Sequence, residues 1–168
     1  ITKLIERALP AEARTATIIA KVREEFVRYY QQHKTDLSRV YPGITELLKA
    51  LHQAGVKLAV ASNKYHQGTV ELIHHFFGEH LFDVVLGQRE NIPTKPDPSI
   101  IYEILEQTKI NPAHTLYIGD SGVDMQTALN SGITSIGVNW GFRPEEELKQ
   151  NRACYIAKEV SDIAKIAG

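Results

Sequence analysis

The sequence predicts an α/β protein built on a doubly wound parallel sheet. Two observations predict it. From Pro42 onward, short apolar runs alternate with stretches of helical periodicity, and strands that alternate with helices are joined by right-handed crossovers into a parallel sheet. The first of those runs, VKLAVAS (56–62), is β-rich, mostly apolar and short, as a strand covered on both faces is.

The elements follow in order. Residues 11–34 read as a helix, because Ile18, Ile19, Val22, Phe26, Tyr29 and Tyr30 recur at steps of three and four and so share one face. The polar stretch HKTDLSRVYPG ends it. A second helix spans about 43–53, with Ile44, Leu47, Leu48 and Leu51 on one side and Gly55 as its stop. After the strand 56–62 come a helix at 66–77 and a strand at 82–87. Asp97 opens a helix that carries Ile100, Ile101, Ile104 and Leu105 in register. TLYIG (115–119) is a strand, Gly122–Asn130 a short helix and ITSIGVN (133–139) a strand. A helix near 144–150, a short strand at ACYIA and a terminal helix at 159–167 complete the chain.

Composition narrows the function. The chain has 168 residues, 43% hydrophobic and 23% charged, with a net charge of −1. These are the proportions of one ordinary globular domain, or one core with a small appendage. No basic block is present, which argues against a nucleic-acid partner. The one cysteine, Cys154, excludes an internal disulfide and a cysteine-based zinc site, and suits a reducing cytoplasm. No apolar run approaches the roughly 18 residues of a membrane span, and no signal peptide is visible. His74, His75 and His80 lack the spacing that sets two histidines on one helix face for zinc.

In a parallel sheet of this kind ligands bind beyond the carboxyl ends of the strands, so chemistry belongs in the strand-to-helix loops. Three of them are informative. The first strand ends in Ser62-Asn63-Lys64, where a hydroxyl and backbone N–H groups could meet an anion at a helix N-terminus or simply cap that helix. In NIPTKPDPS (91–99), Asp97 suits an N-cap and Pro98 the first helical turn. Pro96 holds Lys95 extended, leaving a positive charge that the fold does not need, or an ordinary solvated lysine. The third loop, LYIGDSGVDM (116–125), places Asp120 and Asp124 four apart, a spacing at which like charges repel on a helix. Asp124 could complete a capping box with Ser121. That does not account for Asp120, which ends an apolar strand where a bare charge is disfavoured. A Mg²⁺ ion, which prefers hard oxygen ligands, would resolve the difficulty. A hydroxyl, an ammonium and a carboxylate pair on one rim are what a phosphate and its metal need.

These residues resemble the haloacid dehalogenase superfamily, in particular its phosphoglycolate-phosphatase-like branch with a helical cap. Ser62 in LAVASNK matches the second motif, Lys95 in TKPDPS the third and GDSGVD the fourth, over roughly residues 42–142. The stretch YPGITELLKALHQAGVKLAVASNK resembles that branch throughout. The resemblance implies a haloacid dehalogenase-like Rossmannoid core at 42–168 and a partial helical cap at 1–41. It implies that Ser62 and the Asn63 N–H bind a phosphoryl group and that Lys95 neutralises it. Asp120 would ligate Mg²⁺, with Asp124 a second ligand through water or an orienting neighbour. The reaction implied is Mg²⁺-dependent hydrolysis of a small phosphorylated metabolite, such as phosphoglycolate, through an aspartyl-phosphate. Neither the substrate nor the oligomeric state is legible in the sequence.

One departure is large. The family's first motif, Asp-x-Asp, supplies the nucleophile and the general acid from the central strand, and it is absent. The six aspartates are Asp36, Asp83, Asp97, Asp120, Asp124 and Asp162, and none stands in that motif. The expectation is therefore a fragment that begins inside the cap, inactive by itself. The alternative is a non-catalytic phosphate-binding or regulatory module. A phosphate-receiver domain fits less well, because there the Lys-Pro follows the aspartates, whereas Lys95 precedes them. The strands ending at Ser62, Gly87, Gly119 and Asn139 are expected to form one parallel sheet. Where its centre is missing, the two flanking strands should either pair directly or leave room for a strand from elsewhere.

Overall fold

The computed structural model describes residues 2–168 and divides into two compact units, one reaching to Arg39 and one running from Val40 to Gly168. The first unit is helical. It holds α1 (Thr2–Ala8), a 3-10 turn at Ala11–Ala13 and α2 (Ala16–His33), and α1 packs on α2. The Thr15 hydroxyl accepts the Ile18 N–H at 3.3 Å, so α2 starts at Ala16 and not at the expected residue 11. Within that stripe Phe26 and Tyr30 stack at 5.8 Å, while Ile18 and Tyr29 stay exposed. Helix α1 has only seven residues, too few for a repeat to show in the sequence.

The second unit alternates helix and strand: α3 (Ile44–Gln53), β1 (Ala59–Tyr65), α4 (His66–Phe77), β2 (Val84–Gln88), α5 (Ser99–Thr108), β3 (Leu116–Gly119), α6 (Gly122–Ser131), β4 (Thr134–Val138), α7 (Glu145–Gln150), β5 (Tyr155–Ala157) and α8 (Val160–Ala167). Every strand pairing is parallel. The strands do not form the single sheet expected. Among the described residues they form two, β1–β2 and β3–β4–β5. Alternation predicts that strands lie parallel but not which of them are neighbours. Burial shows the consequence. In β4, the middle strand of its sheet, Ser135 to Val138 are all buried, whereas Ala59 on β1 is exposed and Ile118 on β3 is 44% exposed. Strands β1 and β3 are edges, where a closed doubly wound sheet would have interior strands.

The two sheets nonetheless share a core. Leu86 from β2, Ile101 and Ile104 from α5, Tyr117 from β3 and Ala128 from α6 form one buried cluster. Helix α5 thus covers both sheets with the face that its isoleucine spacing predicts. A second cluster joins Ile136 and Val138 of β4 to Ala157 and Ile163, with Leu47 of α3 packed against it. At the start of β1, the Asp83 carboxylate accepts the Leu58 N–H at 2.9 Å and the Lys57 ammonium at 2.7 Å.

Strand β1 also runs further than expected, and it bulges. Ala61 pairs with Leu86 and Tyr65 with Gln88, so Ser62, Asn63 and Lys64 together face only Gly87. An extra stretch opposite one residue bends the strand and re-aims its side chains. Gly87 makes room for this. A Cβ there would lie 2.6 Å from the Lys64 carbonyl oxygen and 2.6 Å from Thr69 Oγ1. Gly87→Ala is accordingly expected to destabilise the protein by about 2–3 kcal/mol, the scale of overpacking against an unyielding backbone. Urea unfolding would measure it, and a loss under ~0.5 kcal/mol, the range of ordinary surface changes, would show that the bulge yields.

Candidate active site

The bulge turns Ser62 and Asn63 away from helix capping. Helix α4 is preceded by Tyr65, with no side-chain cap, so the capping alternative for these two residues does not hold. Ser62 Oγ accepts the Lys64 N–H at 3.1 Å, which leaves its own O–H to donate. The Asn63 side chain faces the Lys95 peptide. Its Nδ2 donates to the Lys95 carbonyl at 3.0 Å, and its Oδ1 accepts the Lys95 N–H at 2.8 Å.

Lys95 is not a solvated surface lysine. Its ammonium donates to the Ala61 carbonyl at 3.1 Å, to Tyr117 Oη at 2.9 Å and to Asp124 Oδ1 at 2.7 Å. Three donors meet three oxygens, which satisfies the group fully. Ala61 lies on β1 and Tyr117 on β3, so this one side chain spans the interval between the two sheets. The segment before it is fixed by Arg89, whose guanidinium forks onto the Glu103 carboxylate of α5. Asp97 is expected to cap α5, but Pro98 holds the N-cap position and no side chain caps it; Asp97 sits one residue earlier and accepts the Ser99 N–H at 2.9 Å.

Asp124 is engaged at both oxygens. Oδ1 takes Lys95 and, at 3.2 Å, the Tyr117 hydroxyl, while Oδ2 takes the Ser121 hydroxyl at 2.6 Å. Only half of a capping box forms. Ser121 accepts the Asp124 N–H at 3.4 Å, but the carboxylate turns to Lys95 instead of reaching back to the chain. Burial pushes the Asp124 carboxyl up. The Lys95 ammonium outweighs this and, with the Ser121 and Tyr117 hydroxyls, holds it below the usual carboxylate range. Burial, and then the Asp124 charge, push the Tyr117 phenol far up, so it stays a neutral donor.

Tyr117 is the site residue that sequence reasoning missed. Its signal was a polar-tipped aromatic inside the otherwise aliphatic run LYIG, and a buried tyrosine hydroxyl needs a partner. The repulsion between Asp120 and Asp124 is resolved chiefly by Lys95, which neutralises the second of them.

Asp120 stands differently. Its Oδ2 accepts the Phe142 N–H at 3.0 Å, and Oδ1 has no hydrogen-bond partner among the described residues. Gly141 lies against it so closely that a Cβ would come 2.2 Å from Asp120 Cβ. A Mg²⁺ ion fits this arrangement in part. Asp120 offers a free hard oxygen beside a pinned one, and Mg²⁺ is commonly held by one or two carboxylates with several waters. Asp124 spends both lone pairs of Oδ1 on Lys95 and Tyr117 and one of Oδ2 on Ser121, so it is engaged chiefly in orienting its neighbours. No cluster of three His, Cys, Asp or Glu able to hold a metal occurs among the described residues. The remaining aspartates are occupied elsewhere: Asp36 with His33, Asp83 with Lys57, Asp97 with Ser99 and Asp162 with Lys165.

The family model for haloacid dehalogenase-like hydrolases matches residues 1–138. The chain belongs to that family. A phosphoglycolate phosphatase of Vibrio vulnificus is 32% identical to this family member over 149 residues, covering 88% of this chain and 64% of that protein. A solved Lactobacillus delbrueckii structure, assigned as a phosphoglycolate phosphatase, superposes with a TM-score of 0.84 at 37% identity, covering 95% of this chain and 66% of that one. A Thermotoga maritima structure assigned as a β-phosphoglucomutase does so at 0.74 and 25% identity, covering 89% and 69%. This haloacid dehalogenase-like chain therefore spans about two thirds of the length of the relatives it matches. No helix among its described residues is long and apolar enough to cross a membrane.

Proposed function

We propose that this chain is the larger part of a Mg²⁺-dependent phosphomonoester hydrolase acting on a small, phosphoglycolate-like metabolite in the cytoplasm. The observation that carries the reading is the Lys95 ammonium, held between the two sheets beside Asp124, Ser62 and Asn63. In this reading Ser62 O–H and the Asn63 N–H receive the phosphoryl oxygens, and Lys95 neutralises them. Asp120 Oδ1 holds Mg²⁺, and Asp124 orients Lys95 and Ser121. The bound metal would supply charge neutralisation at the phosphoryl oxygens. Residues 1–41 serve as part of a cap, and residues 42–168 as the core. A further parallel strand lies between the unpaired edges of β1 and β3 and brings the attacking aspartate, on which the aspartyl-phosphate forms.

A specific observation also supports a second reading, a phosphate-binding module without turnover: every described aspartate except Asp120 already has a side-chain partner, and Asp120 is pinned by Phe142. Phosphate release from a panel of small phosphomonoesters, phosphoglycolate among them, separates the two when the protein carries its upstream segment. Release that needs both Mg²⁺ and Asp120 supports the hydrolase. Binding without release supports the module.

The Gly141 contact supplies a local test of the Asp120 assignment. Gly141→Ala should displace the Asp120 carboxylate and weaken metal binding by about tenfold, the scale on which supporting residues tune a metal site. Titration with Mn²⁺, followed by its electron spin resonance, measures this directly. Unchanged affinity would remove Asp120 from the metal site.

A further inference from the structure

The Asn63 side chain does work that the phosphate site does not call for. Its amide meets both backbone groups of one residue in another loop at once, the Nδ2 donating to the Lys95 carbonyl at 3.0 Å and the Oδ1 accepting the Lys95 N–H at 2.8 Å. This is the pattern by which a strand residue bonds its neighbour, made here by a side chain. The next carbonyl, that of Pro96, accepts from Asn130 Nδ2 at 2.9 Å. The Lys95–Pro96 segment is thus held by two asparagines. Asn63 belongs to β1 and Asn130 to α6, which follows β3.

Lys95 lies in a loop, yet its ammonium must hold three oxygens, one from each sheet and one from α6. A lysine has four rotatable bonds and loses considerable freedom when held. Fixing its backbone at both N–H and C=O removes much of the remaining uncertainty in where the ammonium arrives.

We propose that Asn63 is a positioning residue, whose side-chain amide clamps the Lys95 backbone so that the ammonium is held where a phosphate oxygen can replace one of its present acceptors. This rests on the reading of Lys95 as the phosphate-neutralising group, and it differs from any contact made by the Asn63 backbone. Asn63 acts through Lys95, so its contribution vanishes when Lys95 is gone.

The test is binding of inorganic phosphate to residues 1–168, followed by ³¹P NMR, for the unaltered chain, Asn63→Ala, Lys95→Ala and the double variant. Lys95→Ala should weaken binding by about thirtyfold or more, as loss of a buried charged partner does. Asn63→Ala should weaken it by about fivefold, the scale of one or two neutral hydrogen bonds. It should have no further effect in the Lys95→Ala background. An Asn63→Ala effect that persists undiminished there overturns the proposal, because Asn63 would then touch the anion or act through the fold. An unchanged affinity in Asn63→Ala overturns it as well. Lys95→Ala without effect overturns the underlying reading of the site, and the proposal with it. Should Asn63→Ala or Lys95→Ala fail to fold, amide hydrogen exchange in the unaltered chain decides. The Lys95 N–H is expected to exchange at least about tenfold more slowly than a free amide, as a hydrogen-bonded one does, and exchange at the free rate overturns the clamp.

Discussion

Residues 1–168 assayed alone should release phosphate from an aryl phosphate no faster than the buffer does. The same residues joined to a segment that bears an Asp-x-Asp strand should turn over in Mg²⁺. The expected difference is on the order of ten-thousandfold or more, the usual consequence of lacking a nucleophile. The physical basis is the accounting of carboxylates. Asp36, Asp83, Asp97 and Asp162 have local structural partners. Asp124 is bound at both oxygens, and Asp120 is tied to Phe142. A carboxylate held in this way cannot swing to attack. In the joined protein, Asp120→Ala should return the rate to background with Mg²⁺ present. Robust, Asp120-dependent turnover by residues 1–168 alone would show that one of these carboxylates is the nucleophile after all.

The second large effect concerns stability. Lys95→Met should destabilise the protein by about 3–5 kcal/mol at neutral pH, because it leaves a buried carboxylate without its partner. Both side chains are 11% exposed, so solvent screens little of this. The pH dependence should change sign as well. In the unaltered protein the Asp124 carboxyl is held below its ordinary value. Its contribution is therefore complete above the unfolded value of about 3.9 and is lost as the pH falls through the lower, folded one. Without Lys95, burial dominates and raises the folded value instead. The variant should then lose stability as the pH climbs from about 4 toward 7. Urea midpoints at several pH values, read for both proteins, show whether the slopes differ. Parallel profiles would mean that Lys95 does not govern Asp124.

Much of this was legible in the sequence, for identifiable reasons. The isoleucines of α5 have a period, and a period specifies a buried face. Lys95 and Asp120 stood out because capping accounts for neither charge, whereas Ser62 and Asp124 could each be read as a cap. Two things were not legible. One is the division into two sheets, since neighbour relations depend on long-range pairing that alternation does not encode. The other is the network around Lys95. The hydroxyl of Tyr117 and the amide of Asn63 enter it through a strand and a bulge whose register is set by Gly87, and no local pattern reports that register. The α5 boundary shows a smaller effect. Asp97 suggested the N-cap by its residue type, but the helix begins at Ser99 with Pro98 as its N-cap, and the Asp97 carboxylate reaches the Ser99 N–H from one residue further back.

The unpaired edges of β1 and β3 bear on colloidal behaviour. An edge strand with free N–H and C=O groups is a template for another chain, and proteins usually guard such edges with proline, a lysine or an inward-pointing charge. In β1 only Lys64, near its far end, is such a guard, and Leu116-Tyr117-Ile118 of β3 has none. Concentrated solutions of residues 1–168 should therefore cluster edge to edge, and light scattering should fall when a strand-length peptide is added to occupy the interval between the sheets. Solubility, on this view, depends on the same strand that the proposed hydrolysis needs.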